Sequence, residues 1–237
     1  MTKKMRTQRR RWISTLASAL PAGPQGQPSH DVGAMIAVID LVDVPDIGNV
    51  SMAVPRPSML LLEPAITHMI RAGRLRDAAK KQIGKGKWIQ LGFELRFTNE
   101  ELVYDFFGEA MAGVILAHAA LDNVLNELVP KGFVHNSKDG EWNRERIEKS
   151  MGLERKLTEI APIATGCPNV RDANVELFDQ AMRLKVLRDD IGHAKLDRGY
   201  GGPESRRTIF SDLFSADLLG LTRCVQEVGE HYGLEWR

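Results

Sequence analysis

Cysteine is nearly absent from this 237-residue chain, and so is any overall bias of charge. Cys167 and Cys224 lie far apart and without metal-ligand spacing. That argues against a disulfide framework and a structural zinc site, and it fits a reducing, cytoplasmic setting. Lysine plus arginine (32) nearly balances aspartate plus glutamate (31), so only local patches can speak for or against a polyanionic partner. No uninterrupted run of about eighteen apolar residues occurs, and no transmembrane span is expected. There is no internal repeat. Gly84-Lys85-Gly86-Lys87 lacks the length and the following hydroxyl of a phosphate loop. Trp88, Phe93 and Phe97 do not form the pattern of a base-stacking sheet.

What is present suffices for a packed core. Apolar residues make up 43% of a chain long enough for one large domain, or for a core domain with an appendage. Lys3, Lys4, Arg6, Arg9, Arg10 and Arg11 precede an apolar stretch from Trp12 to Leu20. The order imitates a twin-arginine export signal, yet serine and threonine break the apolar part. Residues 1–32 are therefore expected to be a disordered basic tail and linker.

Residues 33–97 read as a small α+β element. The β-branched run 35–42, turn residues 45–49 and the stretch 50–54 predict a strand pair. Pro64 is suited to open a helix over about 65–82. Its outer side is expected to carry Arg71, Arg74, Arg76, Lys80 and Lys81, and Lys85 and Lys87 follow. Of these, Arg71, Arg74, Lys80, Lys81, Lys85 and Lys87 are the candidate RNA-binding surface, because clustered cations release counterions from a polyanion; ordinary solvation of an amphipathic helix accounts for them equally well. Residues 88–97 alternate as a third strand.

Residues 98–237 read as helix throughout. Thr98-Asn99-Glu100-Glu101 fits a capping box. Val103, Phe107, Ala110, Val114, Ala117, Leu121, Val124 and Leu128 then mark one long core helix ended by Pro130 and Gly132. A linker with His135 and Gly140 leads to a helix over about 150–163, then one over about 172–197 and a last one over about 212–232. Striped helices with short connections predict an up-and-down bundle.

The third of these helices carries the most chemistry. Leu177, Ala181, Leu184, Leu187 and Ile191 share one side. Val175, Phe178, Met182 and Val186 form a second apolar stripe almost opposite, the candidate dimer interface. Asp189 and His193 extend that stripe one turn apart, where a carboxylate can orient an imidazole. Arg188 stands about 140° around the axis from His193, so a straight helix does not aim both at one phosphate. Convergence needs a bend at Gly192 or a second copy of the helix. The bland alternative is a surface ion cluster near a helix end. Two further groups stand out. His118 and Asp122, one turn apart, can join His193 as metal ligands or form a local pair within their helix. Glu109 lies among apolar residues, either as an extra acid in the cleft or as a solvated side chain.

The phrase Leu187-Arg188-Asp189-Asp190-Ile191-Gly192-His193-Ala194-Lys195 resembles the signature of the "higher eukaryotes and prokaryotes nucleotide-binding" (HEPN) superfamily. That signature is an arginine, a following Asn, Asp or His, and a histidine four to six residues beyond. Residues 117–128 and 153–160 are similar to the family's preceding helices, and the resemblance spans about 98–232. Gly192 stands where a bulky aliphatic residue is common. The resemblance implies a HEPN-like helical bundle and a homodimeric endoribonuclease that needs no metal or other cofactor, of the kind found in toxin–antitoxin pairs and phage defence. An antitoxin or defence protein is then an expected partner. Arg188 would hold the scissile phosphate, His193 would act as acid or base and Asp189 would orient the site, giving 2′,3′-cyclic phosphate ends. Other members are non-catalytic interaction modules, which is the alternative reading.

Overall fold

The computed structural model describes the backbone of residues 13–15, 35–37, 39–44, 48–53, 56–83, 88–91, 94–97, 100–192, 209–234 and 236. Side chains are described for 56–81, 101–192, 209, 211–234 and 236. The chain divides into two compact units, Met1–Pro57 with Glu235–Arg237, and Ser58–Leu234.

In the first unit β1 (Ile13–Thr15) pairs antiparallel with β2 (Met35–Ala37), and β3 (Ile39–Val44) with β4 (Gly48–Ala53). The β-branched run and its turn residues thus form the expected hairpin, with Val42 opposite Val50. One segment of the stretch expected to be a disordered tail is a strand, β1; the rest of it lies outside the described residues.

The second unit is mainly helical. It begins with α1 (Pro57–Ile83), which starts two turns before the expected position and contains Pro64. Proline removes the donor to the Leu60 carbonyl, on a stretch where the Leu60 side chain is exposed. The burial of Leu62, Ala65, Met69 and Ala72 at spacings of three, four and three, and of Ala79 two turns on, outweighs that loss. Next, β5 (Trp88–Leu91) and β6 (Glu94–Phe97) form a hairpin where a single strand was expected.

The long helix α2 (Glu100–Glu127) buries Ala110, Val114, Ala117, Leu121 and Val124, as its stripe predicts. By length and composition alone it would suffice to cross a membrane, which a search for uninterrupted apolar runs does not register. It runs antiparallel to α1. Glu127 accepts from Ser58 N and Oγ at 2.9 and 3.0 Å, capping α1, while His68 meets Glu109 a few turns back. Gly113 makes this approach close, since a Cβ there would stand 2.8 Å from Met69 Sδ.

The expected linker after α2 is instead a hairpin, β7 (Val134–Ser137) with β8 (Gly140–Asn143), whose turn ends at Gly140 with φ +102°. Its Trp142 is buried with Val129, Ile147, Met151 and Ile160. Next come α3 (Arg144–Ser150) and α4 (153–165), whose middle, Lys156–Ile160, is π-helical. The predicted helix over 172–197 is two: α5 (Val170–Ala173) and α6 (Val175–Gly192). Asn174 separates them, accepting from Leu177 N at 3.1 Å. The last predicted helix is also two, α7 (Ile209–Ser215) and α8 (Leu218–His231). Asp217 caps α8 through Gly220 N at 3.0 Å. Arg76 of α1, expected on the outer side, instead satisfies the end of α7, its Nη1 donating to the carbonyls of Phe214 and Ala216. Helices α2, α6 and α8 pack against one another in pairs, and Leu177, Ala181, Leu184 and Leu187 of α6 are buried, as that stripe predicts.

Candidate functional site

Helix α6 carries Lys185, Arg188 and Asp189 on its last two turns. The Asp189 carboxylate is held by both cations: Lys185 Nζ lies 2.6 Å from Oδ2 and Arg188 Nη1 2.9 Å from Oδ1. Burial acts to raise the Asp189 carboxyl, but the hydrogen bonds and charges of Lys185 and Arg188 prevail and hold it below the usual carboxylate range. The Arg188 side chain is 47% exposed and spends one described bond on Asp189. Its remaining guanidinium donors meet no acceptor among the described residues.

Across the seam, α2 contributes His118 and, one turn on, Asp122. His118 is half-buried and accepts no hydrogen bond from the described residues, nor donates one to them. Burial lowers its proton affinity most, and the Arg188 cation lowers it further. Asp122 and Asp189 act in the opposite direction, and Lys185 adds to the lowering. The α2 imidazole therefore sits in the field of the three charged groups at the end of α6, and it is neutral near pH 7.

Asp122 is committed elsewhere. Its Oδ1 receives Lys156 Nζ at 2.7 Å and its Oδ2 receives Asn126 Nδ2 at 3.3 Å. Lys156 is only 2% exposed and also donates to Asn126 Oδ1 at 2.9 Å and to the Glu148 carbonyl at 3.3 Å. Such saturation is what a buried ammonium requires. The π-helical segment begins at Lys156, and its wide turn sets the register that points the ammonium at α2. Neither the buried lysine nor the π turn was foreseen from sequence. One signal was visible: Lys156 occupies the same stripe as Leu153, Leu157 and Ile160.

The remaining sequence candidates scatter. His193 lies outside the described residues, as do Lys85 and Lys87. The motif helix is described as far as Gly192, and the predicted stretch 193–197 lies outside the described residues. Among the described residues no group of three or more His, Cys, Asp or Glu side chains is arranged to hold a metal ion. Glu109 is on the opposite side of α2 from His118, nine residues or about 180° away. There it joins His68 Nδ1 at 2.6 Å and Arg71 Nη1 at 3.6 Å, neither solvated alone nor part of the seam. Arg74 and Lys81 are exposed, while the Lys80 ammonium stands 5.8 Å from the Phe214 ring. On the second stripe of α6, Val175 and Val186 are 62% and 53% exposed and Met182 is half-buried. Phe178 departs from that face: it is 7% exposed, under the Arg171 guanidinium at 4.3 Å. It is thus a core residue of its own chain.

Both cysteines are free, and burial pushes the Cys224 thiol up to about 12, so it is inert at neutral pH. An open groove between α6 and α8, lined by Glu176, Gln180, Asp217, Arg223 and Glu227, lies at the far end of α6 from Arg188. Its acidic lining suits no phosphate.

Searches of family models, curated proteins and solved structures each find no match to this chain.

Proposed function

We propose that the helical unit is a HEPN-type endoribonuclease, a cytoplasmic homodimer that cuts single-stranded RNA without metal and acts with an antitoxin or defence partner. The reading rests on the motif resemblance. The observation that carries it is the seam between α2 and α6, where an exposed, partly free arginine and a lysine stand beside a half-buried neutral imidazole. A permanent cation stabilises the charge that develops on a phosphorane, and a neutral imidazole can accept a proton at pH 7. By the resemblance, Arg188 holds the phosphate, His193 serves as acid or base and the products end in 2′,3′-cyclic phosphate. The test is incubation of purified protein with mixed RNA in EDTA. Cleavage that disappears in Arg188→Ala and His193→Ala while both variants remain folded supports the reading; unimpaired cleavage in both variants refutes it.

A second reading, a non-catalytic dimerisation module, is favoured by Val175 and Val186. They are eleven residues apart, so they share one face of α6 within about 20°, and both are exposed. Protein that assembles through this face and never cuts RNA would support the module.

A further inference from the structure

Arg144, Arg155 and Arg188 each close on a carboxylate, at 2.6, 2.8 and 2.9 Å. Arg71 of α1 does not. Its Nη1 stops 3.6 Å from Glu109 Oε1, outside hydrogen-bond range, and its side chain is 59% exposed. Among the described residues the guanidinium has no hydrogen-bond acceptor, so its five N–H groups are unspent on them. The other oxygen of Glu109 is engaged, with Oε2 2.6 Å from His68 Nδ1 across the packing of α1 on α2. An ionised carboxylate only accepts, so Nδ1 carries the proton of this bond and Nε2 is the open nitrogen. Nε2 has no described partner, and the His68 side chain is 30% exposed.

His68 and Arg71 lie one turn apart on α1 and within about 60° of each other around its axis. The exposed Arg74 continues that ridge by one more turn. Of the nearer acids, Glu63 stands about 140° around α1 from His68, and Asp105 one turn before Glu109 on α2; both are exposed and make no described bond to the cluster. With the ring charged, a guanidinium and an imidazolium face one carboxylate, which leaves a single positive charge. One singly charged phosphodiester neutralises it.

Resting on the ribonuclease reading above for the identity of the polyanion, we infer that His68 and Arg71 bind one backbone phosphate of single-stranded RNA, with Glu109 as the positioning residue that turns Nε2 to the anion. The site lies about 180° around α2 from His118, so it holds the strand and takes no part at the scissile bond. Binding takes up one proton, because Nε2 donates to phosphate only when the ring is charged.

The experiment uses the full chain and a 2′-O-methyl oligouridylate, which lacks the nucleophilic hydroxyl and stays intact whether or not the protein cuts RNA. Fluorescence anisotropy follows binding between about pH 5 and 8, where imidazoles change charge. Affinity should rise on acidification. His68→Gln should weaken binding at the acid end by about tenfold or more and flatten the pH dependence. Arg71→Gln should weaken it at every pH and lower the salt slope by about one. A second measurement needs no variant: the unaltered protein carries carbon-13-labelled histidine, and the His68 signal is followed on adding the oligonucleotide or inorganic phosphate. Movement with the oligonucleotide supports the site. Movement with inorganic phosphate alone overturns the polynucleotide as its ligand. A His68 signal indifferent to both, or a His68→Gln protein with unchanged affinity and pH dependence, overturns the site. If the unaltered protein cuts no RNA while the His68 signal still answers to the oligonucleotide, the ribonuclease reading falls and the phosphate site stands.

Discussion

Replacing Lys156 by methionine keeps the side-chain stem and removes only the ammonium, so it isolates the buried charge cluster on α2. Lys156 Nζ makes two close bonds, to Asp122 at 2.7 Å and Asn126 at 2.9 Å, and a long one to the Glu148 carbonyl at 3.3 Å. Removing one member of a fully buried ion pair costs about 3–5 kcal/mol, because the other charge stays behind unpaired. Here the Asp122 side chain is 33% exposed, so water recovers part of that loss. The expected cost of Lys156→Met is therefore about 2–3 kcal/mol, or a melting temperature lower by about 4–12 °C for a chain of this size. Urea unfolding followed by far-ultraviolet circular dichroism reads it. Asp122→Ala and the double variant complete a cycle, and the pair should couple by about 1–2 kcal/mol. A cost below about 1 kcal/mol, or strict additivity in the cycle, would show that the cluster does not hold α4 to α2 and would refute the reasoning.

Three other outcomes are expected. His118 should titrate below its ordinary value of about 6.5, so it stays neutral at pH 7. The unfolded chain then binds more protons than the native one just below that pH, and the stability this group contributes is complete above about 6.5 and lost on acidification. Arg188→Gln should move the midpoint up and Asp122→Asn should move it down, read by proton NMR of the imidazole; opposite signs would separate His118 from the end of α6. Val186→Asp should leave the melting temperature unchanged, because Val186 is exposed, yet convert any homodimer to monomer in light scattering after size exclusion. Tyr232→Phe should cost about 1–3 kcal/mol in urea unfolding, since the buried hydroxyl donates to the Leu157 carbonyl and accepts from Val170 N at 3.1 Å.

Much of the helical unit was legible because apolar periodicity reports a buried face directly. The stripe of α2 from Ala110 to Val124 and that of α6 from Leu177 to Leu187 are buried as their spacing predicts. Boundaries were less legible where tertiary partners decide them. Periodicity runs on through Asn174 and Asp217, although each caps a new helix. Pro64 read as a beginning because its cost to the helix is local, whereas the burial of Leu62 and Ser58 that extends α1 backward depends on α2. Phe178 fits the outer stripe by angle and is buried by Arg171, a cation from the preceding helix. The motif itself was visible; the neighbours of Arg188 were not, because spacing along one helix carries no information about which residue of α2 stands opposite. Two charges in apolar stripes did carry such information. Arg76, read from sequence as part of the outer basic face, falls between Ala72 and Ala79, and Lys156 between Leu153 and Ile160. Each is bonded to a distant element.

The π turn gives α4 a length that its neighbours depend on. Ala161 N bonds back to the Lys156 carbonyl, five residues rather than four, so the helix holds one residue more than an α-helical ladder would accommodate. Were the same residues to close as an ordinary α-helical ladder, with none deleted, everything before the turn would rotate by about 100° relative to everything after it. Leu153 and Ala161 could no longer both face the core, and the polar row on α2 would lose its cation without any charged residue having been substituted. The distance around this helix is therefore counted in residues as strictly as its chemistry is spelled in side chains.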